Sequence, residues 1–201
     1  MVNRYAYVEN DPINMIDRFG LCGTRAESYQ DCTVEVDPGQ DSSGNTNSLT
    51  DDQQSGVDNL TEAIRATGQA IADNGTDEEV AAWEGISKFG INPNEDMGTT
   101  EATALGVNTP SEGVQVWKAG VDAASQNQND ASHIVIHETG HFRQSDIDRR
   151  QGIQNRGGGG LQFYNQEIKN DMWSVKSGKR LGTLPKDYKR RVYPIGGYSG
   201  P

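Results

Sequence analysis

Histidine and cysteine are scarce in this 201-residue chain, with three of the first and two of the second. Two cysteines, Cys22 and Cys32, exclude a disulfide-framework protein. They leave three readings: one bridge, two reduced thiols, or a Cys22 that caps a metal ion as a latency device. Long apolar runs are also missing. Ile134-Val135-Ile136 is a small fraction of the roughly 20 apolar residues that a bilayer span needs, so no membrane segment is expected. The N-terminus, with Arg4, Glu9, Asp11 and Asp17, lacks the apolar stretch of a signal peptide, and export is expected to need other machinery. Aromatic residues make up 7% and hydrophobic residues 33%, against 24 glycines. Such a composition allows one loop-rich domain of modest core, with appendages.

Acidic residues are not lacking: the formal charge is -11. Residues 1–141 hold 6 Lys and Arg against 24 Asp and Glu, a net of -18, and residues 142–201 hold 12 against 5, a net of +7. A basic end can bind nucleic acid. The asymmetry is equally met by attraction between the two halves or by an acidic partner, and that is the reading adopted.

All three histidines fall in one stretch, His133-Ile-Val-Ile-His137-Glu138-Thr-Gly-His141. It contains HExxH. On a helix His137 and His141 stand one turn apart on one face, so both imidazoles can reach one metal ion, and a neutral imidazole pair suits Zn2+. Glu138 lies beside that face, where a carboxylate can take a proton from the attacking water and pass it to a leaving amine. The pattern points to peptidase chemistry. Ile134, Val135 and Ile136 are expected to bury the far side of the helix, Gly140 to leave open space above the site, and Asp130 or Ser132 to cap the helix. His133 would lie about 12 Å along the axis from His141. One ion cannot take both, which makes His133 a helix-start residue or a support for the ligands.

A catalytic zinc site usually has three protein ligands and water. With the histidines spent, the third must be a carboxylate or, less simply, a cysteine. Asp146 and Asp148 follow His141 closely, and Asp187 is remote. Glu167 and Asp171 sit one turn apart on a helix expected from Leu161 to a Gly178 cap, beside a stripe of Leu161, Tyr164, Ile168, Met172 and Val175 expected to be buried. Glu167 can then bind the metal while Asp171 holds the second nitrogen of a ligand histidine. The developing oxyanion needs one further donor, for which Tyr188, Tyr193 and Arg180 remain open.

HExxH followed by Glu167-x-x-x-Asp171 resembles the gluzincin metallopeptidases, which implies a zincin-like α+β fold, mainly helical with a small sheet beside the HExxH helix. A second resemblance lies at the N-terminus. Tyr5, Tyr7, Asn10, Pro12, Asp17, Gly20 and Leu21 fit the YxYxxNxPxxxxDPxGL ending of the RHS repeat-associated core of bacterial polymorphic toxins, with Arg18 in place of the usual proline. It covers about the first 21 residues. That resemblance implies a toxin domain after Leu21, a cognate immunity protein, a core shell, delivery by a type VI or related secretion system, and a protein substrate in the target cell's cytoplasm. The rival classes are a nucleic-acid-targeting toxin using the basic end, and a metal-binding domain without catalysis.

The expected organisation is the core-motif tail at 1–21, a linker or mobile segment at 22–56 and the peptidase domain at 57–201. Within the domain, Val57, Leu60, Ile64 and Ile71 predict a helix ending at Asn74-Gly75. Thr76 and Glu79 form the capping box of a second helix carrying Val80, Trp83 and Ile86, and Gly90 and Pro93 close the pair. Val114 to Ala119 is the predicted edge strand, to which an extended substrate adds.

Overall fold

The computed structural model describes residues 32–40, 42–95, 106–109, 113–158 and 160–189. The RHS-like motif, Cys22 and Tyr193 lie outside them. Among the described residues the chain is mainly helical with one small sheet. No helix is long and apolar enough to cross a membrane.

Helix α1 (Asp51–Asn74) starts six residues before the first apolar position of its repeat, because Thr50 and Gln53 form a reciprocal capping box and Asp51 and Asp52 occupy its first turn. A polar helix start leaves no apolar period to read. Its inward face is Val57, Leu60, Ala63, Ile64 and Ile71. Helix α2 (Asp77–Glu84) has the predicted Thr76–Glu79 box. Trp83 and Ile86 are fully buried beside it.

The sheet has the order β1-β2-β4-β3, from β1 (Val34–Val36), β2 (Phe89–Asn92), β3 (Gly106–Thr109) and β4 (Gly113–Trp117). The first three in that order run parallel, and β3 is antiparallel to β4. Two expectations change here. Val114 to Ala119 is no edge strand, since β4 is paired on both sides and ends at Trp117, with Val114 and Val116 in the core. The strand at that end of the sheet is β3, and it contacts the HExxH helix. Gly90 does not close a helical pair either; it lies inside β2, which buries Phe89 and Ile91.

Helix α3 (Lys118–Gln126) leads through Asn127 into the HExxH helix, α4 (Gln128–Gly140). Asn127 is the cap, in place of the expected Asp130 or Ser132: its side-chain oxygen accepts from the Asp130 amide at 3.0 Å, and its side-chain nitrogen donates to the Asp130 carboxylate at 2.8 Å. Ile134, Val135 and Ile136 are buried as expected. Two more helices follow, α5 (Gln144–Asn155) and α6 (Gly160–Leu181), and α4 packs between α1 and α6.

Helix α6 reverses the expected burial. Leu161 is 73% and Met172 65% exposed, and Tyr164 is exposed as well, while Gln166, Asn170, Asp171, Ser174 and Ser177 are buried. The cause is the neighbour. Helix α4 offers α6 its three histidines, so the face of α6 that can hydrogen-bond turns inward, leaving Leu161, Tyr164 and Met172 of the apolar stripe exposed and Ile168 and Val175 half-buried. Gly178 is not the cap but lies inside the helix against Leu184 and Ile136. The reversal after Leu181 falls on Gly182, whose φ of +81° suits glycine.

Gly140 fixes how closely α4 and α6 approach. A Cβ there would stand 2.8 Å from the Trp173 ring and closer still to the Asn170 carbonyl oxygen. The expected open space above the site is therefore filled. Gly140→Ala should destabilise by about 1–3 kcal/mol through overpacking, lowering the unfolding midpoint by roughly 2–4 °C per kcal/mol. An unchanged midpoint in a thermal melt would contradict this close fit.

Candidate metal centre

Helices α4 and α6 bring the sequence's three candidate ligands together. Glu167 Oε2 is 3.3 Å from His137 Nε2 and 3.3 Å from His141 Nε2, and one donor atom from each residue lies within 4.8 Å of the others. Tetrahedral coordination at about 2.0–2.2 Å spaces donors roughly 3.3–3.6 Å apart. The two imidazoles and the carboxylate fit one ion of that kind. Glu138 is 4% exposed, and its Oε2 is buried without a hydrogen-bond partner. A buried carboxylate oxygen of this sort is costly unless something donates to it.

Each of the two candidate ligand histidines has a carboxylate near its other nitrogen. Asp146 Oδ2 is 3.2 Å from His141 Nδ1, and Asp171 Oδ1 is 3.6 Å from His137 Nδ1. Asp171 Oδ1 stands nearer to His133 Nε2, at 2.9 Å, than to His137 Nδ1. Asn170 adds a bond from its side-chain nitrogen to the His137 carbonyl at 2.8 Å.

His133 stays away from His141 and forms a separate file. Its Nε2 is 2.9 Å from Asp171 Oδ1 and 3.1 Å from Ser174 Oγ, and its Nδ1 is 3.2 Å from the Tyr188 hydroxyl. His133, His137 and Asp171 make a second group with metal-binding spacing. The outer group differs from the first in being closed. The His133 side chain is 3% exposed and both its nitrogens are engaged, whereas the Glu167 side chain is 29% exposed. Access favours the group with Glu167.

Of the residues considered for the oxyanion, Tyr188 bonds His133 and, at 3.3 Å, Asp130. Arg180 is drawn away by Glu79 and by the Asn74 carbonyl oxygen, 2.7 Å distant. Tyr193 lies outside the described residues. The cation that does reach the ligands is Arg150 of α5, which the sequence reading passed over. Its Nη2 donates to Glu167 Oε1 and lies 2.8 and 3.3 Å from the two ring nitrogens of His141, and its Nε donates to Asp146 at 2.9 Å. The available signal was the Asp146–Arg150 spacing, which marks a helical ion pair. Cys32 is disulfide-bonded and offers no thiol ligand, and Cys22 lies outside the described residues.

Charge at the centre is lopsided, with Glu138, Asp146, Glu167 and Asp171 around two imidazoles and Arg150. Burial opposes a charge on His137, but hydrogen bonds to Asp171 and Glu167 outweigh it and push the imidazole up to about 10. Glu167 and Asp171 are held far below the carboxylate range, burial being overcome by His137 with His141 in the first case and by His133 with His137 in the second. Asp146 is held low too, with burial overcome by His141 and Gln166.

No protein-family model, curated protein or solved structure matches the chain.

These shifts give the metal-free protein a stability window. The raised His137 contributes fully below about pH 6.5 and loses its contribution as pH climbs toward 10; the lowered carboxylates contribute above about pH 4.5 and lose theirs as pH falls. With a chelator present, the unfolding midpoint should be highest between those values and decline from pH 6.5 to 9. A midpoint still rising over that upper range would contradict the assignment.

Proposed function

We propose that the chain is a zinc-dependent peptidase with a zincin-like arrangement, in which His137, His141 and Glu167 hold the metal and Glu138 is the general base. The carrying observation is a carboxylate oxygen 3.3 Å from each of two imidazole nitrogens, with all three donors within 4.8 Å, beside a buried carboxylate oxygen that has no partner of its own. Zinc, when bound, supplies Lewis acidity that polarises a carbonyl and makes water nucleophilic near neutral pH. Its preference over harder cations follows from the imidazole pair.

The chain's residues do the rest. Glu138 accepts the proton of the attacking water, becoming a neutral acid, and returns it to the departing amine nitrogen as the C–N bond breaks. Asp146 and Asp171 fix the ring orientations of His141 and His137. Arg150 is the cationic donor available to the carbonyl oxygen as negative charge builds there. An extended substrate adds as a strand beside β3.

The RHS-like ending before Cys22 supports reading this activity as that of a delivered effector, with a target-cell protein as substrate, a cognate immunity protein, and a core shell and secretion apparatus as carriers. A disulfide at Cys32 supports passage through an oxidising space, since such bonds are rare in proteins kept in a reducing cytosol.

Glu138→Gln should keep the metal and lower peptide cleavage by about a hundred- to ten-thousandfold. Profiling of new protein N-termini in cells exposed to the wild-type chain and to the variant checks this. The same cleavage pattern from both would remove Glu138 from the chemistry, and damage to RNA or DNA without new N-termini would remove the peptidase reading.

A further inference from the structure

We propose that Arg150 is an exchangeable counter-cation of the centre: it holds Glu167 and His141 until a divalent metal ion takes them from it, so that metal affinity is set by competition with the protein's own guanidinium. The inference rests on the metal-centre reading and not on peptide hydrolysis.

Three features of the site carry it. Arg150 meets two of the three candidate ligands through one nitrogen, with Nη2 on Glu167 Oε1 and 3.3 Å from His141 Nε2. A guanidinium only donates. His141 Nε2, the nitrogen 3.3 Å from Glu167 Oε2, has Arg150 Nη2 at 3.3 Å as well, and Nη2 is nearer still to Nδ1 at 2.8 Å, so an ion bound at Nε2 would lie beside the guanidinium. Glu167 turns Oε2 toward the two histidines and Oε1 toward Arg150, so an ion on Oε2 would share one carboxylate's charge with the guanidinium. Arginine, moreover, cannot release the contact by losing its proton. It has to move.

The surroundings permit that movement. The Arg150 side chain is 30% exposed, whereas Asp146, which holds its Nε at 2.9 Å, is fully buried. The Nη2 end can leave Glu167 while the Nε end stays tethered, so the displaced guanidinium remains beside the ligands. Were Arg150 a support for the ligand set instead, its loss would weaken metal binding. As a competitor, its loss strengthens it. The sign decides.

The experiment titrates zinc chloride against a competing chelator in the full chain carrying Glu138→Gln, and in the same chain with Arg150→Gln, circular dichroism confirming that both are folded. The expected result is zinc binding at least tenfold tighter without Arg150. Unchanged or weaker binding in the folded double variant would overturn the proposal. As a measurement that needs no second substitution, zinc should accelerate labelling of Arg150 by phenylglyoxal in the Glu138→Gln chain, read by peptide mass mapping, and slower labelling would overturn it equally. No zinc uptake by Glu138→Gln itself would defeat the metal centre, while tighter binding here together with no peptide cleavage by the chain that keeps Glu138 would defeat only the peptidase reading.

Discussion

Everything at the centre depends on how closely α4 lies against α6. Gly140 leaves no side chain between the helices, and the space is taken by Asn170 and Trp173. Arg143 locks the contact: its Nε donates to the Gly140 carbonyl at 2.9 Å, its Nη2 to Asn170 at 3.0 Å, and its guanidinium lies 4.0 Å over the Trp173 ring. Of the last carbonyls of α4, which the helix leaves unpaired, Gly140 accepts from Arg143 and His137 from Asn170 of α6, while Glu138 and Thr139 accept from the amides of His141 and Phe142. His137 lies one turn before Gly140 and His141 directly after it, and Glu167 lies one turn before Asn170 and Asp171 directly after it. Small errors of approach would separate the ligands by more than a metal tolerates.

Such an approach concentrates negative charge, and the charge has to be met. Arg150 meets part of it. A proton on His137 meets another part, which is why that imidazole holds its proton far above the ordinary range despite its burial. A divalent cation would serve both needs at once, because it bonds the nitrogen that the proton occupies and the carboxylate that Arg150 occupies. Metal uptake at such a centre exchanges one set of positive charges for another. The polar lining of α6 belongs to the same logic. Gln166, Asn170, Ser174 and Ser177 are buried so that α4 can keep its histidines inside the protein.

The site was more legible in the sequence than the fold around it. His137, Glu138 and His141 follow from helical spacing alone, and Glu167 and Asp171 from being one turn apart on the next long helix with the needed chemistry. His133 could be separated from His141 on distance, but its metal-binding spacing to His137 and Asp171 could not be read. What escaped was information that a neighbour imposes. The apolar repeat of α6 is real, but its direction is fixed by α4, so periodicity located the helix and assigned it the wrong inner face. Strand β2 is too short and too rich in glycine and asparagine to announce itself, and β4 became central only because β2 pairs with it. Arg150 was invisible because its partners Glu167 and His141 lie 17 and 9 residues away, and no local pattern records such a contact.

The claim that two imidazoles and one carboxylate bind a single ion is tested most directly by zinc-edge X-ray absorption on purified chain loaded with zinc and desalted. The account predicts about one zinc per chain, with nitrogen and oxygen neighbours at about 2.0–2.2 Å and outer-shell scattering from two imidazoles, and one fewer protein ligand in Glu167→Gln. A chain that retains no zinc, or a spectrum that is the same with and without Glu167, would contradict it.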